Sequence, residues 1–247
     1  SHGDSDHVYN TPRAWFMLRY FNPRTRAWDG PAAEYTPRSD DLPWCMVPEK
    51  KITPEDVKYA LSAHYQGTPF DPYDTHADPL LRGAYRAIGI NRNDFMALLQ
   101  LRPHVPEAYC AVEWLAFASN AFNAMAPFYA NVNATPAYLA QTTGAVSTGS
   151  FYWVSRLIAA LADAAYSKSI KHIGRYQLAV HAQGHALIGR YDALLSQEMD
   201  AARQAALREE ANLAVADMVQ REAADTLLKV LNEQSNHMKN AFSRSDA

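Results

Sequence analysis

Phe95-Met96-Ala97-Leu98-Leu99-Gln100-Leu101-Arg102 alternates strictly, with Phe95, Ala97, Leu99 and Leu101 on one face and Met96, Leu98, Gln100 and Arg102 on the other. A period of two is the spacing of a β-strand, because successive side chains leave opposite faces of the pleat. The Pro103 to Pro106 break follows, and then Tyr109-Cys110-Ala111-Val112-Glu113-Trp114-Leu115-Ala116-Phe117, rich in aromatic and apolar residues. That pattern reads as a second strand joined to the first by a hairpin. A third short run, Phe128-Tyr129-Ala130-Asn131-Val132, reads as an added edge. The middle of the chain therefore specifies an antiparallel sheet.

On both sides of this sheet the pattern turns helical. Thr followed by Pro supplies a capping hydroxyl and then a residue whose missing N–H costs nothing at the first helical position. The pair marks a helix start at Thr11-Pro12, Thr53-Pro54 and Thr135-Pro136. The first opens a helix carrying Trp15, Phe16 and Tyr20 that stops before Asn22-Pro23; the second, with Glu55 and Asp56 in its first turn, is expected to run to Gly67. Residues 22–51 hold five prolines and read as loop. From about Ser150 the apolar spacing is that of a helix through Val154, Leu157, Ile158, Leu161 and Ala165. A second helical stretch runs from Leu178 to Leu195, and a last one carries the stripe Leu213, Ala216, Val219, Ala223, Leu227 and Val230. Asp217 with Arg221 and Asp225 with Lys229 are acid-before-base pairs four apart on its other side. The expectation is an α+β fold, with the sheet, helices and Pro-rich loops in residues 1–149 and a helical region in 150–247 packed on the same domain.

Composition narrows the function. The chain has 247 residues, 48% hydrophobic and 20% charged, with 23 Lys+Arg against 26 Asp+Glu and a net charge of −3. That excludes a disordered chain, and no apolar run approaches the ~18 residues of a membrane span. Near-neutral balance without a basic block gives no pull toward nucleic acid or an anionic membrane. Two cysteines, Cys45 and Cys110, cannot make a disulfide framework and fit a reducing, cytoplasmic setting. The start Ser1-His2-Gly3-Asp4-Ser5-Asp6-His7 has no Met and no signal-peptide pattern, and reads as a processed chain or a piece of something longer.

Several residues invite chemistry, and each has a plainer reading. His181 and His185 share a helix face but lack the Glu between them that a zincin uses, so a solvated face is expected and no metal. Cys110 near His104 suggests a thiol–imidazole pair, whereas a cysteine inside a strand is ordinarily a small buried hydrophobe. Glu113 interrupts an apolar run and calls for a structural ion pair. Arg92 and Arg102 flank the first strand and suit bidentate binding of a substrate carboxylate, with surface pairing as the alternative. Ser1 has an α-amino group to act as its own base, but the polar residues after it form strands poorly.

Longer blocks carry a resemblance. Val8-Tyr9-Asn10-Thr11-Pro12-Arg13-Ala14-Trp15-Phe16, Lys50-Lys51-Ile52-Thr53-Pro54-Glu55-Asp56-Val57, Ser62-Ala63-His64-Tyr65-Gln66-Gly67-Thr68-Pro69-Phe70-Asp71-Pro72 and Pro127-Phe128-Tyr129-Ala130-Asn131-Val132 resemble the bacterial dipeptidase A family in content, order and spacing. Leu99-Gln100-Leu101-Arg102 and Tyr152-Trp153 agree with it too. The family is similar to the bile-salt and penicillin-V amide hydrolases of the N-terminal nucleophile superfamily, whose fold is two packed antiparallel sheets between helix layers. The resemblance implies a cysteine-type dipeptidase acting on dipeptides, without metal or organic cofactor. Its nucleophile is a Cys at the mature N-terminus, absent here, so the chain resembles the C-terminal half of a member and is expected to be inactive alone. By the same likeness Arg13 is the first candidate for a supporting catalytic residue and Asn10 the second, capping being the alternative for both. Arg13 in the first turn of a helix also opposes the dipole and needs a carboxylate or a functional reason. The partners implied are dipeptides, and either a second copy of the chain or the missing N-terminal half. The rivals are a non-catalytic binding or oligomerisation module, and one chain of a heterodimeric amide hydrolase.

Overall fold

A computed structural model of the chain describes residues 3–238. The elements are α1 (Asp6–Tyr9), α2 (Thr11–Phe21), α3 (Pro54–Leu61), β1 (Phe95–Leu101), β2 (Ala111–Phe117), β3 (Ala126–Tyr129), α4 (Ala137–Ala140), α5 (Phe151–Ala164), α6 (Tyr166–Gln197) and α7 (Ala201–Ser235), with a 3₁₀ turn at Glu107–Tyr109. The class is α+β, as the patterning indicates. The chain forms two compact units, Ser1–Ile90 and Asn91–Ala247. The sheet and the helices after residue 150 lie in the same unit, where those helices supply the apolar cover for one face of the sheet.

In the first unit, α2 is preceded by Asn10, which makes no side-chain cap. Thr11 lies inside the helix, so the expected hydroxyl cap is not made there. At α3 the expected Thr cap forms: Thr53 accepts from the Asp56 N–H while the Asp56 carboxylate accepts from the Thr53 N–H, a complete capping box. The helix ends at Leu61, short of Gly67, because the chain turns sharply through Tyr65 and Gly67, both with positive φ (67° and 74°). Ile88 and Gly89 then donate their N–H groups to the Ala63 carbonyl. Trp15, Phe16, Trp28, Ala63 and Tyr65 form the core, with Phe70, Tyr85 and Ile88 packed against it. Residues 22–51 form no helix or strand.

In the second unit the sheet has the order β1-β2-β3, antiparallel throughout. Met96, Val112, Trp114, Ala116 and Tyr129 point to the helices and are buried. The other face carries Phe95, Ala97, Leu99 and Leu101 of β1, opposite Phe117, Leu115, Glu113 and Ala111 of β2. On β1 it is open, with Phe95 55%, Leu99 74% and Leu101 75% exposed. Glu113 sits on this face between Leu99 and Phe128 and makes no ion pair among the described residues, against expectation. Cys110 lies ahead of β2, ending the 3₁₀ turn that Pro106 starts, rather than inside the strand.

The helices extend beyond their sequence signals. α6 begins at Tyr166, well before Leu178. The buried stripe of α5 is Phe151, Val154, Ser155, Ile158 and Ala162, while Leu157 and Leu161 are only half-buried. In α7, Ala216, Val219, Ala223 and Val230 are buried but Leu213 is exposed. Asp225 pairs with Lys229 as spaced, and Asp217 makes no ion pair with Arg221. No helix among the described residues is long and apolar enough to cross a membrane.

Candidate functional site

The first turn of α2 places Arg13 against the return of the chain at Arg86. Its Nε donates to the Arg86 carbonyl at 3.2 Å, and the Tyr65 hydroxyl donates to the same oxygen at 2.9 Å. Tyr65 reaches it from the strained left-handed turn after α3, a conformation costly for a residue with a Cβ. The Arg86 N–H donates to the Val8 carbonyl, and its guanidinium lies 5.6 Å over the Tyr9 ring. Two guanidiniums therefore share one half-buried corner, and neither forms an ion pair among the described residues. Burial first, and then the charge of Arg86, lower the proton affinity of Arg13. The carboxylate that a cation in the first turn of a helix calls for is not supplied by the described residues. Such a pair of guanidiniums has the charge and the donors to receive an anion.

Asn10 is exposed, and its side-chain amide donates to Asp6 at 2.6 Å. Its carbonyl accepts from the Arg13 and Ala14 N–H groups, so it positions the start of α2 through its backbone.

Next to this corner the segment 62–73 holds a buried pair that single-residue reading passes over. His64 Nδ1 lies 2.9 Å from an Asp71 carboxylate oxygen that also accepts from the Tyr73 N–H, and the Tyr73 ring meets the imidazole edge-on at 5.0 Å. The signal for it is a His and an Asp in one Gly/Pro-rich turn motif. On α3 itself, Lys58 is buried and donates to the Ser62 hydroxyl at 2.6 Å. Burial pushes its amine down to about 7. Asp56, buried at the start of that helix, accepts from Tyr20, Lys50 and Thr53. Its burial opposes ionisation, but these hydrogen bonds outweigh it and hold the carboxyl at about 2.

The remaining candidates lie in the second unit and are not gathered together. Arg102 is buried, bonded by both terminal nitrogens to Asp192 of α6, and donates to the Tyr109 carbonyl at 2.6 Å and the Cys110 carbonyl at 3.4 Å. Tyr129 adds a hydrogen bond to Asp192 at 2.8 Å. This arrangement ties the hairpin to α6 and commits the guanidinium, so the structure argues against Arg102 as a substrate ligand. Arg92 is exposed on the turn before β1. His104 is exposed and makes no hydrogen bond to Cys110 among the described residues. Both cysteines are free thiols, Cys45 exposed and Cys110 half-buried. His181 and His185 stand against the Trp114 ring at 6.2 and 4.8 Å. No cluster of three or more His, Cys, Asp or Glu residues able to hold a metal occurs among the described residues. Ser1 lies outside the described residues.

Fold and site together define an α+β protein in which Arg13 and Arg86 share a corner at a helix N-terminus. The model of Peptidase family C69 matches residues 1–179, and the chain belongs to that family. It is 43% identical, over its whole length, to a dipeptidase of Bifidobacterium longum, covering 53% of that protein. It is 42% identical, again over its whole length, to a probable dipeptidase A of Streptococcus pyogenes, of which it covers 49%. A dipeptidase A of Lactobacillus helveticus is 40% identical over 65% of this chain and 32% of its own. The chain thus spans about half the length of the first two of these relatives.

Proposed function

We propose that the chain is the C-terminal portion of a cysteine-type dipeptidase with an N-terminal nucleophile fold, completed by the polypeptide its relatives carry beyond the matched half. The observation that carries this reading is the end-to-end match to proteins named dipeptidase, at 42–43% identity over about half their length. The open sheet face supports it. A face bearing Phe95, Leu99 and Leu101 in solvent suits a second sheet packed about 10 Å above it, as in an αββα sandwich.

In this mechanism the thiol attacks the peptide carbonyl, the α-amino group beside it takes and returns the proton, and hydrogen-bond donors hold the oxyanion. The part this chain supplies is charge. Arg13, with Arg86 beside it, stabilises an anion of the substrate or of the transition state, and Asn10 sets the helix that carries Arg13. Neither Cys45 nor Cys110 is hydrogen-bonded to a base among the described residues, which fits a nucleophile lying elsewhere. Free thiols also suit the reducing, cytoplasmic setting. Substrates in this reading are dipeptides, and the partner is the missing half or a second copy.

A dipeptide panel tests the proposal. The chain at verified mass should give no turnover alone. Mixed with the complementary half of the Bifidobacterium longum relative, it should hydrolyse dipeptides until a thiol alkylator is added. Turnover by the chain alone that neither the alkylator nor a metal chelator touches would overturn it and point to Ser1, turnover that the chelator blocks would point to His181 and His185, and turnover that the alkylator blocks would move the nucleophile to Cys45 or Cys110.

A further inference from the structure

Behind α2, on the side of Trp15, the first unit has a cavity of about 360 Å³, open to solvent and lined in part by Trp15, Trp28, Phe70 and Tyr85. The rings brace one another, Trp15 edge-on to Phe70 at 6.2 Å and Phe70 against Tyr85 at 4.8 Å. Both indole N–H groups are spent on backbone carbonyls, Trp15 on Tyr35 and Trp28 on Asn22. The little surface the tryptophans leave open, 2% of Trp15 and 4% of Trp28, is therefore carbon, and Arg19 lies 5.6 Å over the Trp15 ring. Two charged residues also line it. Asp29 is occupied, both its oxygens accepting from Arg19 Nε at 3.1 and 2.9 Å. Arg38 is exposed at the lining, and its guanidinium makes no hydrogen bond or ion pair among the described residues. Its charge acts on the Tyr85 hydroxyl, opposing the upward push of burial there.

An aromatic-walled cavity with one uncommitted cation selects a ligand by two features: an aromatic or large apolar group to replace water against the rings, and an anion for the guanidinium. We propose that this cavity binds the carboxyl-terminal residue of a peptide substrate, taking its aromatic or bulky apolar side chain against the rings and its carboxylate on Arg38. The inference rests on the peptidase reading for the identity of the ligand. It deepens that reading by placing side-chain selection at Trp15, two residues on from Arg13 in α2, and at Tyr85, next in sequence to Arg86.

The test is binding and needs no turnover, so a failed hydrolysis assay and a failed pocket are separate results. N-acetyl-phenylalanine and N-acetyl-phenylalaninamide are titrated into the full chain while the indole N–H signals are followed by NMR. The acid should saturate and shift the Trp15 and Trp28 signals, leaving Trp114 and Trp153 in place. The amide should bind about tenfold more weakly, equivalent to ~1.4 kcal/mol. Arg38→Gln, a change at an exposed side chain, should lower affinity for the acid to that of the amide and leave the amide unchanged. Ala33→Phe, which fills the cavity, should abolish both. Equal binding of acid and amide by the unmodified chain, shifts confined to Trp114 and Trp153, or no saturable binding would each overturn the assignment.

Discussion

Lys58 is a buried amine that donates to the neutral Ser62 hydroxyl, and its depressed pKa has a definite thermodynamic sign. The folded chain releases this proton at about 7 while the unfolded chain holds it to 10.5. Between those values the unfolded state binds more protons, so stability rises with pH across that window and is flat below it. A pKa that differs by one between the folded and unfolded states is worth ~1.4 kcal/mol, making the penalty below neutral pH on the order of a few kcal/mol. Lys58→Met should therefore raise the urea midpoint at pH 6 and abolish the gain that the unmodified chain shows between pH 7 and 10. Asp56 works in the opposite sense: its carboxyl is held down, so its contribution is present above the unfolded value near 3.8 and disappears as pH falls toward 2. At Arg13 the expected effect is on function rather than stability. Arg13→Met in the reconstituted enzyme should lower kcat/KM by at least tenfold, about 1.4 kcal/mol, with Tm kept within a few degrees. A large loss of Tm instead would mark Arg13 as a structural cap.

Elements show where local sequence suffices and where it does not. The start of α3 is written in four residues, Thr53-Pro54-Glu55-Asp56, since each half of the capping box is a contact between neighbours. Thr53→Ala should cost about 1 kcal/mol by thermal or chemical denaturation. The packing of α6 on the sheet depends on a residue with no local signature. A Cβ on Gly184 would lie 2.6 Å from Pro127 Cδ, so the helix needs glycine to approach β3. Gly184→Ala gains about 1 kcal/mol of helix propensity but meets an overpacking cost of about 1–3 kcal/mol. The net effect should be destabilising, with a lowered melting temperature as the readout.

At the largest scale, one face of the sheet in the second unit leaves Phe95, Leu99 and Leu101 of β1 in solvent. Exposed leucines on one edge strand are association-prone surface. Leu99→Lys should leave unfolding free energy within about 0.5 kcal/mol, because the side chain is already mostly in water. The same change should reduce self-association of the isolated chain by light scattering and block reconstitution with the complementary half. Reconstitution unimpaired by that charge would argue that something other than a second sheet covers the face.

How much of this is legible without a structure follows from the range of each contact. The sequence alone places the hairpin, since β1 ends at Leu101 where Pro103 interrupts the alternation, and it places the Pro-rich loop and the α3 cap. It also carries the family, through motif blocks that need no geometry. Three-dimensional packing decides what those residues do. Arg102 is taken from solvent by Asp192, ninety positions away, and Cys110 leaves the strand because Pro106 starts a turn before it. His64 and Asp71 pair only because the turn at Tyr65 folds them together. Arg13 stands out by its place in a motif, but its neighbour Arg86 comes from seventy-three residues further on. Periodicity and capping are properties of adjacent residues and are fixed by the chain itself. Which charges are spent and which remain open to a ligand depends on long-range neighbours, and those exist only once the chain has folded.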